Sequence, residues 1–118
     1  ILRHFPKEFE RKEKEGLYHH RPIGGENWPD IELRIYSFKN DALFRRCKGK
    51  RVVIVGHGNW LVLFQRTEHH HSIEEALRRY KAGWFENTSV TIYEGAEQDG
   101  ETRLALREEH IVPWRGKI

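Results

Sequence analysis

The run Val52-Val53-Ile54-Val55 constrains this chain more than any other feature. Consecutive β-branched residues with no polar alternation suit a strand buried on both faces, as in a parallel sheet covered by helices on either side. The run stops at Gly56-His57-Gly58-Asn59, and helix-forming residues from Trp60 to about Arg66 follow at once. A strand, a glycine-flanked turn and a helix in immediate succession predict an α/β fold of three layers, α/β/α.

The rest of the chain fits that plan. Phe5 to Glu15 reads as a charged helix, with Pro6 in its first turn and Gly16 at its end. Arg21-Pro22-Ile23-Gly24-Gly25-Glu26 is a loop. Asn27 is the expected N-cap of a second helix, whose apolar positions Ile31, Ile35, Phe38 and Ala42 share one face while Arg34 and Lys39 point elsewhere. This helix fades by Cys47 to Lys50. Ser72-Ile73-Glu74-Glu75 has the capping-box pattern and opens a helix to about Ala82. Ser89 to Tyr93 and Thr102 to Arg107 read as strands joined by a turn at Asp99-Gly100, and 112–117 as an irregular tail.

At 118 residues the chain holds one domain or a piece of one. Its 4 Trp, 4 Tyr and 6 Phe supply core material and argue against disorder. No apolar run approaches the ~18 residues of a membrane span. The net charge of +3 suits an anionic ligand but is too small for a nucleic-acid tail. Cys47 is the only cysteine, which fits a reducing compartment, and cytoplasmic localisation is expected. The chain has no Met and begins at Ile1, so an upstream part is expected to be missing.

The chemistry points to His57. Ligands of open α/β sheets bind at the carboxyl ends of strands, and a helix start there offers unpaired N–H groups and partial positive charge. An imidazole at that place can bond a phosphoryl oxygen and stabilise growing negative charge; its competing role is to cap its own loop. Arg21 is the second candidate, because a guanidinium grips phosphate or carboxylate through paired hydrogen bonds; its competing role is a solvated loop arginine.

Three segments, in this order, resemble the histidine phosphatase superfamily, which includes the phosphoglycerate mutases. Arg21-Pro22-Ile23-Gly24-Gly25-Glu26-Asn27-Trp28-Pro29-Asp30, with Arg34, resembles the family's Arg-Pro-x-Gly-Gly-Glu-Ser segment. Val52 to Asn59 resembles its strand ending in His-Gly, with the Asn of the mutase-like members. Asn87-Thr88-Ser89-Val90-Thr91 resembles its Asn-x-Ser strand. The resemblance implies a phosphoglycerate mutase-like sheet of which residues 1–118 are the C-terminal part, with the first strand missing. It implies phosphoryl transfer from a monoester to a histidine and on to water or another hydroxyl. In that scheme His57 stabilises the phosphoryl oxygens, Gly58 and Asn59 bind them through N–H groups, and Arg21 holds the rest of a phosphorylated small molecule. No cofactor is called for.

The family's Arg-His-Gly motif, whose histidine is the nucleophile, has no match. Arg3-His4 echoes it, but Phe5 replaces the glycine and only Ile1 and Leu2 precede it, too few for a strand. His4 therefore reads as a histidine at a helix start, and Glu26 as a brace for the next helix rather than a general acid. The chain alone is expected to lack phosphatase activity. Its exposed sheet edges at Val52 and Val90 are expected to be covered by the missing N-terminal segment or by a second copy. The competing reading is a non-catalytic module that keeps the anion pocket and binds a phosphorylated ligand or protein. His19-His20 and His69-His70-His71 do not have metal-ligand spacing, and no metal site is expected. Trp28, Trp60, Trp84 and Trp114 read as core or pocket wall, not as a stacking platform for nucleic acid.

Overall fold

The computed structural model describes residues 3–115. The expectations for Ile1 and Leu2, and for the tail beyond Arg115, lie outside the described residues. The charged segment after Phe5 forms α1 (Pro6–Glu15), ended by Gly16. Helix α2 (Trp28–Ser37) starts at the expected cap: Asn27 Oδ1 accepts the Asp30 N–H and Asp30 Oδ2 accepts the Asn27 N–H, each at 2.9 Å.

From Phe38 to Arg46 the coil widens into a π-helix, closed by the Cys47 N–H bonding the Ala42 carbonyl at 2.9 Å. Ile35 is fully buried, and Ile31, Phe38 and Ala42 are half-buried, as the helical spacing predicted. Lys39, expected to point elsewhere, is buried too, at 5% exposure, because it stands four residues after Ile35 and shares its face.

Helix α3 (Gly58–His69) packs against both α2 and α4 (Ile73–Lys81) and supplies Val62, Leu63 and Phe64 to the core, beside Tyr18, Trp28, Ile35 and Ala76. At the start of α4 only half of the capping box forms. Ser72 Oγ accepts the Glu75 N–H at 3.0 Å, but the Glu75 carboxylate turns to Arg78 and Arg79, whose hydrogen bonds hold its pKa at about 2.

The strands β1 (Val90–Gln98) and β2 (Glu101–Ile111) form an antiparallel hairpin longer than the sequence reading gave. Asp99 and Gly100 both have positive φ, at 54° and 79°, the backbone of a type I′ turn. Tyr93 and Leu104 rest on the helical core.

The Val52–Val55 run departs from expectation. It is extended but joins no ladder among the described residues, and instead of being buried on both faces it is exposed. Val52 and Ile54 face a groove and are 42% and 39% exposed, whereas Val53 and Val55 are 89% and 93% exposed. The alternation is that of a strand with a helical layer on one side only. The described residues thus form part of an α/β fold, with four α-helices and a two-stranded sheet. Among them no helix is long and apolar enough to cross a membrane.

A buried ion pair joins the pieces. Lys39 Nζ lies 2.5 Å from Glu68 Oε2, near the rings of Tyr36, Phe44 and Phe64, and Glu68 Oε1 accepts the Leu104 N–H of β2 at 2.9 Å. Removing one partner of a buried pair leaves an uncompensated charge, which costs about 3–5 kcal/mol, whereas replacing both with apolar groups costs far less. Lys39→Met should therefore lose about that much in urea unfolding, and Lys39→Met with Glu68→Leu should recover most of it. A single-variant loss below about 1 kcal/mol would show the pair to be solvated.

Candidate functional site

His57 is the N-cap of α3, with extended backbone (φ −100°, ψ 161°) and its carbonyl accepting the Leu61 N–H at 3.0 Å. Its side chain makes no capping bond and is exposed, so the competing role of the ring as a loop cap is not what the structure contains. The N–H groups of Gly58 and Asn59 fall in the first turn, where intrahelical acceptors are lacking. A Cβ added at Gly58 would meet no atom within 4 Å, so the protein's own packing does not require glycine there, and the backbone is open to approach. Gly56 has the opposite character. A Cβ there would lie 3.4 Å from Trp60 Cε3, and the Trp60 ring, stacked on Phe64 at 5.2 Å, supports the turn from below.

Beside this turn runs a groove of about 730 Å³. Val52 and Ile54 form one wall, β1 residues from Thr91 to Glu97 the other, and Leu43, Phe44, Trp60, Leu61 and Phe64 also line it. Both flanking backbones lack a ladder partner on the groove side among the described residues. The sequence showed two exposed edges but not that they face each other across one opening. His57, Gly58 and Asn59 stand next to its lining residues in sequence and are not part of it.

Arg21 is held elsewhere, at the start of α2. Its Nε and Nη2 each donate to Asp30, both at 2.7 Å, in a bidentate pair that holds the Asp30 carboxyl below its usual range, with the Asn27 N–H adding to the effect. Arg21 is still 57% exposed, and Nη1 has no protein acceptor among the described residues. No hydrogen bond or ion pair joins Arg21 to the His57 turn among the described residues. The Asp30 partner was legible only as a first-turn acid. Glu26 pairs with Arg34 through two bonds of 2.9 and 2.8 Å, bracing α2 as expected. His4 sits exposed in the turn before α1.

A family model, described as the histidine phosphatase superfamily (branch 1), matches residues 1–108. No curated protein and no solved structure matches the chain.

The histidine triplet builds a polar corner between α3 and the hairpin. His69 Nε2 lies 2.8 Å from the Tyr93 hydroxyl, and the His69 and His71 rings stack at 5.4 Å. No group of His, Cys, Asp or Glu among the described residues is arranged to hold a metal ion. Burial pushes the Tyr93 hydroxyl up to about 12. His71 Nδ1 is buried without a partner, and burial, then Arg79 and His69, hold this imidazole below the usual histidine range. The fold therefore refuses a proton that the unfolded chain accepts below its ordinary value of ~6.5. Stability is unaffected well above that value and falls as the pH drops through it. Urea midpoints at about pH 5 and about pH 7.5 should differ for the parent chain, and His71→Leu should narrow the difference. An unchanged difference in the variant would remove His71 from the account.

Proposed function

This chain belongs to the histidine phosphatase superfamily, and we propose that it is part of a phosphomonoester hydrolase or mutase working through a phosphohistidine whose nucleophile lies upstream of this chain. The observation that carries the proposal is His57: an exposed, uncommitted imidazole at the start of a helix, between a turn supported by Trp60 and an open Gly58.

In this reading the phosphoryl group sits over the first turn of α3. The N–H groups of Gly58 and Asn59 bond its oxygens, and the helix start favours its negative charge. His57 donates a ring N–H to an equatorial oxygen and stabilises the charge that grows in the transition state. Arg21, oriented by Asp30, donates from Nη1 to the rest of the phosphorylated small molecule. An imidazole nitrogen of the upstream histidine attacks phosphorus, a P–N bond forms, and the ester P–O bond breaks as the leaving alcohol gains a proton. Water or an acceptor hydroxyl then attacks phosphorus, loses its proton and releases the histidine. The two outcomes separate hydrolase from mutase.

The groove beside His57 supports the placement of the missing piece. A strand entering between Val52–Val55 and β1 finds unpaired backbone on both sides and an apolar floor. Running parallel to Val52–Val55, it delivers its carboxyl end to the His57 turn, where ligands of such sheets bind. The upstream segment or a second copy fills this place, and with it the sheet and its three layers are complete. The single Cys47 suits the cytoplasm.

The test is phosphate titration followed by the His57 ring resonances. A saturable shift in the millimolar range, about −4 kcal/mol, is expected and should vanish in His57→Ala. Gly58→Ala should fold as well as the parent or better, because its Cβ meets open space, yet bind phosphate more weakly. The chain alone should not turn over an aryl phosphate. Extended by its upstream coding sequence it should, and His57→Ala should then lower kcat by about 10²–10³-fold. A ring blind to phosphate, or turnover indifferent to His57, would overturn the proposal.

A further inference from the structure

We propose that His20 and the inner face of α1 form a positioning clamp on the Arg21 loop, closed only while the His20 ring carries both its protons. The clamp is a fact of geometry whatever Arg21 binds; its bearing on substrate rests on the reading of Arg21 given above.

His20 is a buried polar residue, at 7% exposure, and it meets a carboxylate at each ring nitrogen. Nε2 lies 3.1 Å from Glu8 Oε1 and Nδ1 lies 3.3 Å from Glu15 Oε2. Glu8 and Glu15 stand two turns apart on α1, with Arg11 between them. Arg11 donates to Glu8 at 2.7 Å and lies 3.7 Å from Glu15, and its Nη2 also donates to the Arg21 carbonyl at 2.7 Å. One helix face thus grips two successive residues of the loop, His20 by its side chain and Arg21 by its backbone.

The donor count decides which form of the ring closes the clamp. A carboxylate only accepts hydrogen bonds, whereas a neutral imidazole has one N–H and one bare lone pair. In either neutral tautomer a lone pair lies beside a carboxylate oxygen, a repulsive contact. The imidazolium satisfies both sides. It also balances the corner, with two negative groups, Glu8 and Glu15, against two positive ones, Arg11 and His20. The neighbouring charges Arg21 and Asp30 are committed to each other. Tyr18 turns its hydroxyl to Glu32, and His19 presents its ring to Tyr18, not to the clamp. His20 is therefore a positioning residue, and loss of its second proton leaves the loop that carries Arg21 with only the Arg11 and Asp30 bonds to hold it.

The full chain can be tested by NMR between about pH 5 and about pH 9, the range in which histidines titrate. At the acid end the His20 ring should show two protonated nitrogens, and the amides from Arg21 to Gly25 should be rigid, with order parameters near ~0.85. On deprotonation of the ring the loop should loosen toward ~0.6 or below. Glu15→Gln should keep the loop ordered across the whole range, since a carboxamide can offer an N–H to the bare nitrogen or an oxygen to the protonated one. Glu15 is partly exposed, so this variant should fold. A singly protonated His20 beside an ordered loop, or a loop whose order ignores pH in the parent chain, would overturn the clamp. Phosphate titration of Arg21→Ala at acid pH reports separately: unchanged affinity there removes Arg21 from the substrate site and leaves the clamp standing.

Discussion

A carboxylate buried at the end of α3 sets the terms for the rest of this structure. Glu68 lies where the helical core meets the hairpin, and an unpaired charge at such a place is not tolerated. Its needs are met from two directions, by the Lys39 ammonium and by the Leu104 N–H. Lys39 stands four residues after the buried Ile35, so helical spacing puts it on the inner face, at the start of the π-widened stretch Phe38–Arg46. The Leu104 contact locks β2, and through it β1, at a fixed distance from the helices. One pair thus ties the start of the π-helical stretch, through the end of α3, to the sheet edge that forms one wall of the groove.

What could be read from the sequence divides along a physical line. Features set by neighbours in the chain were legible: the Asn27 cap with Asp30, the Gly16 stop and the Asp99-Gly100 turn all lie within a few residues of their partners. Features set by distant partners were not. Lys39 and Glu68 carry no mutual signal in the sequence, and Arg21 with Asp30 reads as two unrelated charges until the loop folds back. Glu75 shows the limit within a local motif, because two nearby arginines outcompeted the backbone for its carboxylate. Val52–Val55 is the instructive departure. Its composition suits a strand buried on both faces, while the described residues cover only the side facing the groove. The position of His57 after this run was legible, because the strand-to-helix turn is local; the groove beside it is a long-range feature and was not.

The two anion-binding candidates are prepared in opposite ways. Arg21 is fixed before any ligand arrives, by Asp30 on its side chain and Arg11 on its carbonyl. Such preorganisation lowers the entropy lost on binding. His57 is left open, with only its backbone fixed by the start of α3 and by Trp60 under Gly56. A side chain that must respond to charge developing during a reaction benefits from a fixed base and an uncommitted tip. The division suits a residue that holds the substrate and another that meets the reacting group.

The energetics of the groove argue that completing the sheet and completing the proposed site are one event. A strand seated between Val52–Val55 and β1 gains ladder hydrogen bonds on two sides, each worth about 0.5–1.5 kcal/mol net. The second layer that then covers Val53 and Val55 buries side chains worth about 1.5–3 kcal/mol apiece. Phosphate held by His57, two N–H groups and a helix start contributes only a few kcal/mol. The driving force of the proposed assembly therefore comes from apolar surface and backbone pairing, not from substrate. Substrate affinity can stay modest, as turnover requires, because it is not needed to hold the fold together. In the proposed assembly the exposed valines, rather than the substrate, supply the free energy that seats the added strand beside His57.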